Sequence, residues 1–169
     1  MPAKKILTVF SSLLFLSVTA NATIIVTMYS TKPGHKKLGE ITFENKSLGL
    51  EIRPKLSDLP PGIHGFHIHA NPSCDHEGMA AGGHHDPDKT EKHLGPFYAT
   101  GHLGDLPTLS VDKKGIANHS IFAPRLTEDD LYGHSVVIHE GGDNYSDSPQ
   151  PLGGGGARIA CGVIDKKPG

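Results

Sequence analysis

The sequence predicts an all-β domain, an antiparallel sandwich or barrel of eight short strands that carries two long functional loops. Three observations predict it. Runs of four to ten residues rich in β-branched and apolar side chains recur, each bounded by Gly, Pro, Asn or Asp. No stretch of the domain carries the 3.6-residue period of a long helix. Two segments, 71–104 and 141–156, show no period at all, and loops of that length are uncommon in compact domains unless they have a function.

The elements follow in order. Thr23–Tyr29 is β-branched and stops at Lys32-Pro33-Gly34. Lys37–Phe43 and Leu48–Arg53 form a pair with the turn at Asn45-Lys46, and Pro60-Pro61-Gly62 leads into Ile63–Ala70. Leu106–Val111 and Ile116–Ile121 flank Asp112-Lys113-Lys114-Gly115, a hairpin signal. Thr127–Leu131 reads as one helical turn, and Ser135–Glu140 and Arg158–Ile164 close the set. There is no internal repeat, and the only low-complexity tract is Gly153–Gly156.

Residues 1–22 stand apart. Lys4 and Lys5 precede the apolar run Ile6–Val18, and Ala20-Asn21-Ala22 supplies the small-x-small pattern of a signal-peptidase site. The run is too short to span a bilayer comfortably. A cleaved export signal is expected over 1–22, with one domain over 23–169 and a periplasmic location. No later apolar run and no lipobox cysteine are present, so no membrane anchor is expected. The formal charge of −2 with no basic face argues against a nucleic-acid partner. Nothing marks an interface, so a homodimer stays open.

Histidine is the outlier, 12 of 169 residues. GIHGFHIHA (62–70) places His67 and His69 two apart on a strand, hence on one face, a spacing that suits two ligands of one metal. Phe66 and Ile68 then point to the core. The first long loop adds His76, His84, His85, His93 and His102 together with several aspartates, and the second loop begins just after His139. Imidazole suits copper and zinc, and an added carboxylate still suits zinc. Any one loop histidine is more often an exposed side chain than a ligand; the combination is not so easily dismissed. Cys74 and Cys161 are the only cysteines, an even count that in an exported chain favours a disulfide over thiolate ligation, since neither sits in a C-x-x-C pair. His64 is expected to pack near its strand entry, and His35, His119 and His134 to lie on the surface.

The chain resembles the copper/zinc superoxide dismutases, particularly their exported bacterial branch. The blocks that carry the resemblance are GIHGFHIHA (62–70), AGGHHDP (81–87), KHLGP (92–96), GHLGDLP (101–107), VVIHEGGDN (136–144) and GGGGARIACGVI (153–164), in the family's order. The resemblance implies a Greek-key arrangement of the strands. It implies copper on His67, His69, His84 and His139, and zinc on His84, His93, His102 and Asp105, with His84 bridging the two. Zinc then has four protein ligands and no open position, the layout of a structural site. Asp143 resembles the carboxylate that joins a copper histidine to a zinc histidine, here His67 and His93. Arg158 resembles the guanidinium that guides a small anion to the copper, and a Cys74–Cys161 disulfide would tether the first loop to its strand. The implied activity is disproportionation of the superoxide anion to dioxygen and hydrogen peroxide, with Arg158 and His84 catalytic.

Two features depart from that branch. Only the nine residues DHEGMAAGG separate Cys74 from His84, and they contain no steering lysine, which leaves Lys89 and Lys92 for that role. His85 stands where those relatives usually carry a large aromatic residue. Two other functions compete: a copper-storage module should lack the open copper position, the bridge or the arginine, and a zinc hydrolase needs a vacant zinc position and a general base.

Overall fold

The computed structural model describes residues 23–167; the expected export signal lies outside them. Its strands are β1 (Thr23–Ser30), β2 (Lys37–Lys46), β3 (Gly49–Leu56), β4 (Gly62–His64), β5 (Phe66–His69), β6 (Leu109–Val111), β7 (Ile121–Ala123), β8 (His134–His139) and β9 (Arg158–Ile164). Seven form one curled antiparallel sheet in the order β5-β8-β9-β1-β2-β3-β7, while β4 pairs with β6. β3 lies beside β7 and β5 beside β8, so two connections cross over rather than forming hairpins, the Greek-key pattern.

Alternation builds the interior. On β1, Ile24, Val26 and Met28 face inward; on β2 and β3, Ile41, Phe43, Leu50, Ile52 and Leu56 do the same. Phe66 and Ile68 of β5 join them as expected, both fully buried. β5 and β8 depart from alternation because nearly every residue is covered on both faces. A small second cluster, Ala81, Val137 and Cys161 with Cys74, shows what covers the outer face: the first long loop packs across β8 and β9. The disulfide Cys74–Cys161 fastens it there, with Cα atoms 5.8 Å apart.

Three expectations shift. The turn between β2 and β3 falls at Ser47-Leu48 rather than Asn45-Lys46, because Lys46 pairs with Gly49. Gly49 has φ of 123°, and a Cβ there would lie 2.6 Å from the carbonyl oxygen of Ala123; only glycine allows that approach. The single strand expected over 63–70 is broken at Gly65, whose N–H is taken by the carbonyl of Gly141 at 2.8 Å. The strand expected over 116–121 shrinks to β7 and a lone bridge between Leu56 and Ala117. The helical turn stands as expected: Glu128–Asp130 is a 3₁₀ turn with a capping box between Thr127 and Asp130.

Candidate metal centre

β5 puts His67 and His69 on its outer face, and the last residue of β8 is His139. The first long loop then returns to β5 as though it were another strand. Gly104 accepts the N–H of Ile68 at 2.9 Å, Ile68 accepts the N–H of His85 at 2.8 Å, and His85 accepts the N–H of Gly104 at 2.8 Å. This pairing sets His84 opposite His69 and Asp105 opposite His67. A side chain at Gly104 would collide with the carbonyl oxygen of Ile68, so its lack of Cβ lets the loop lie down here.

Seven polar side chains meet in the resulting interior. His67, His69, His84, His93, His102, Asp105 and His139 are all buried, none more than 7% exposed. One group of potential ligand atoms, all within 4.8 Å of one another, comes from His67, His69, His84 and His139. A second comes from His67, His84, His93 and Asp105. His67 falls in both because its ring stacks on that of His84, centroids 4.0 Å apart. His102 stands just outside the tight second group, its Nδ1 3.4 Å from Asp105 Oδ1. Around the same carboxylate, His84 Nδ1 lies 2.8 Å from Oδ1 and His93 Nδ1 3.0 Å from Oδ2.

The outward bonds of these rings decide which nitrogens face inward. His67 Nε2 donates to Asp143 Oδ2 at 2.8 Å and His93 Nε2 donates to Asp143 Oδ1 at 2.7 Å. His69 Nδ1 donates to the carbonyl of Gly82 at 2.9 Å, and His139 Nδ1 to that of Gly156 at 3.2 Å. A neutral imidazole has one N–H, so His67, His69 and His139 each turn a bare lone pair to the interior. His69 Nε2 and His139 Nε2 then face each other at 3.3 Å. The buried Nδ1 atom of His67 has no hydrogen-bond partner, and those of His93 and His102 lie 3.0 and 3.4 Å from the Asp105 carboxylate but out of line for a hydrogen bond. Leaving such atoms unsatisfied costs about 1–3 kcal/mol each; a cation between them removes the cost. The donors fit copper on the all-imidazole side and zinc on the side with a carboxylate.

Charge follows the same division. Burial pushes the His67 imidazole down to about 3 and His139 to about 4, and drives His69 lower still, so these rings are uncharged at neutral pH, each with a single N–H. His93 differs. Burial would lower it, but Asp105 and Asp143 outweigh burial and raise it to about 9. The surrounding histidines hold both Asp105 and Asp143 well below the usual carboxylate range despite burial.

Arg158 opens the all-imidazole side to the outside. Its guanidinium donates to the carbonyls of Gly78 and Gly82, in the loop the disulfide fastens. It lines a mouth of about 240 Å³ together with His69, His84 and His139. A larger groove of about 610 Å³, lined by Ile25, Tyr29 and Val163 among others, shares no residue with the histidine cluster.

The copper/zinc superoxide dismutase (SODC) family profile matches residues 37–164. The chain belongs to that family. It is 54% identical to the Cu-Zn superoxide dismutase of Francisella tularensis subsp. holarctica over 137 residues, 77% of this chain and 74% of that protein. Among solved structures, it resembles the Cu/Zn superoxide dismutase of Brucella abortus with a TM-score of 0.80 and 44% identity, covering 85% of this chain and all of that one. The monomeric copper, zinc superoxide dismutase of Salmonella enterica gives 0.74 and 47%, with the same coverage.

Other members of the site have no sequence signal of their own. Asp147 accepts from the N–H of His93 at 2.9 Å and of Leu152 at 3.1 Å, joining the two long loops. Arg125 donates to the carbonyls of Gly101 and His102, fixing the loop that carries His102 from across the domain. His64 is buried as expected, its ring nitrogens 2.8 Å from the carbonyls of Pro60 and His139. His35, His76 and His119 are exposed. His134, expected on the surface, is half-buried and lies against His85, the rings tilted by 44° with centroids 4.0 Å apart, so His85 contacts a second imidazole outside the cluster. Among the described residues, no helix is long and apolar enough to cross a membrane.

Asp143 accepts from two buried imidazoles, and an amide cannot accept at both ends. Asp143→Asn is expected to cost about 1–3 kcal/mol of stability in the metal-free protein, read as a shift in its urea midpoint; an unchanged midpoint would show that the bridge carries no weight.

Proposed function

We propose that the chain disproportionates superoxide, with copper held by His67, His69, His84 and His139 and zinc by His84, His93, His102 and Asp105. The observation that carries the reading is the set of proton-free imidazole nitrogens converging beside Arg158, in a member of this family. Copper, when bound, supplies the one-electron couple that takes an electron from one superoxide and gives it to a second.

The chain's own groups do the rest. The Arg158 guanidinium places positive charge at the mouth, where it attracts and orients an anion. His84 Nδ1 is committed to the Asp105 side, so Nε2 is the ring atom that can take up a proton and deliver it to the peroxide; the second proton comes from solvent. Asp143 holds the rings of His67 and His93 in one tautomer and orientation.

The closed Cys74–Cys161 disulfide supports work outside the reducing cytoplasm, since such bonds persist in oxidising compartments. We read residues 1–22 as the export signal and the periplasm as the destination. N-terminal sequencing of protein recovered from a periplasmic extract should begin at Thr23; a start at Met1 would overturn the export reading.

Metal content and superoxide removal measured on one sample test the activity. About one copper and one zinc per chain are expected, with activity lost on copper removal. His139→Ala should lose copper and activity but keep zinc, whereas Asp105→Ala should lose zinc first; equal loss of both metals from either variant counts against the assignment. Bound copper with no turnover would leave a copper-carrying protein.

The titrations add a sign. Zinc must displace the proton that His93 holds up to about pH 9, so zinc affinity of the metal-free chain should rise with pH by about tenfold per unit per proton released. Copper affinity should stay flat across the neutral range, because His67 and His139 are already uncharged there. Isothermal titrations at several pH values check both slopes.

A further inference from the structure

The mouth of the copper side has an unexpected neighbour. Met79 lines it with His69, His84, His139 and Arg158, and its side chain is 63% exposed. It begins a 3₁₀ turn, Met79–Ala81, in the shortened loop between Cys74 and His84. That turn is firmly held. Arg158 grips the carbonyls on both sides of it, at Gly78 and Gly82, and Asn71 Nδ2 donates to the carbonyl of Ala80 at 3.0 Å. A long apolar side chain is therefore presented to solvent from a firmly held backbone, at the entrance to a polar site, with little apolar surface buried in return.

The charge at that entrance poses a problem that Met79 solves. The guanidinium that attracts an anionic substrate repels an arriving copper cation. A carboxylate or thiolate on the rim would recruit the cation but would cancel the field that draws the anion. A thioether does neither: it is neutral at every pH and a soft ligand suited to Cu(I). We infer that Met79 is the first contact for Cu(I) entering the site, receiving the ion from its donor and passing it to His69 and His139. The step is ligand exchange alone: a copper–sulfur bond forms as a donor bond breaks, then gives way to copper–nitrogen bonds with no change of oxidation state. The inference rests on the copper assignment proposed above.

The test uses the full disulfide-bonded protein, zinc-loaded and copper-free, and its Met79→Leu variant, which keeps size and apolarity at an exposed position. Copper(I) is offered as its bicinchoninate complex, and uptake is read from the loss of that complex's colour. Copper(II) is offered in parallel, and final copper per chain is measured for both. Met79→Leu should slow the rate of Cu(I) uptake, leaving Cu(II) uptake and final copper content unchanged. Equal Cu(I) rates in parent and variant would overturn the inference. Equal slowing of both ions would also overturn it, because it would mean that Met79 only shapes the mouth. Failure of the parent itself to take up copper would instead sink the copper assignment, and the inference with it.

Discussion

Bare nitrogens that face one another in a dry interior are the constraint on which the rest of this structure depends. His69 Nε2 and His139 Nε2 meet at 3.3 Å, and the Nδ1 atom of His67 finds no partner. Alone, such an arrangement is costly, because each buried acceptor has lost its water and gained nothing. It persists because the outer faces of His67, His69, His93 and His139 are committed elsewhere, to Asp143, Gly82 or Gly156. The fold therefore stores a preference for a cation, and its loops exist to keep those outer bonds in place.

The work is divided between sheet and loops. β5 and β8 supply His67, His69 and His139 on strands whose other faces are anchored by Phe66, Ile68 and Ile138 in the core. The first loop supplies His84, His93, His102 and Asp105, held by the pairing of Ile68, His85 and Gly104, by Arg125 and by the disulfide. The second loop contributes Asp143 and Asp147, whose carboxylates reach back to the first. Strands give position cheaply because their backbone bonds are already satisfied; loops need these added ties, since free loop backbone is entropically expensive to fix.

Much of this was legible in the chain, for physical reasons that differ by residue. The His67–His69 pair could be read from strand period alone, since alternate positions share a face. The strands of β1, β8 and β9 announced themselves through β-branched runs. The loop histidines could not be read that way: no local period links His84 to His93 or His102, and only the resemblance of whole blocks singled them out. The break at Gly65, the turn at Ser47-Leu48 and the shrunken 116–121 strand escaped because each is decided by a partner far along the chain, Gly141, Ala123 or Leu56. Asp147 and Arg125 escaped for the same reason; their ligands are backbone groups, which leave no mark on the sequence. The contact of His85 with His134 joins a loop to the start of β8 and likewise has no local signature.

The two halves of the centre share parts rather than merely adjoin. His84 reaches both groups of ligand atoms, and the Asp143 carboxylate spans His67 on one side and His93 on the other. Thermodynamic linkage then imposes a symmetry on any metal pair that occupies them: whatever factor one ion adds to the affinity of the second, the second must return to the first. A zinc ion described as merely structural is, on this account, an effector of copper retention, and copper is equally an effector of zinc.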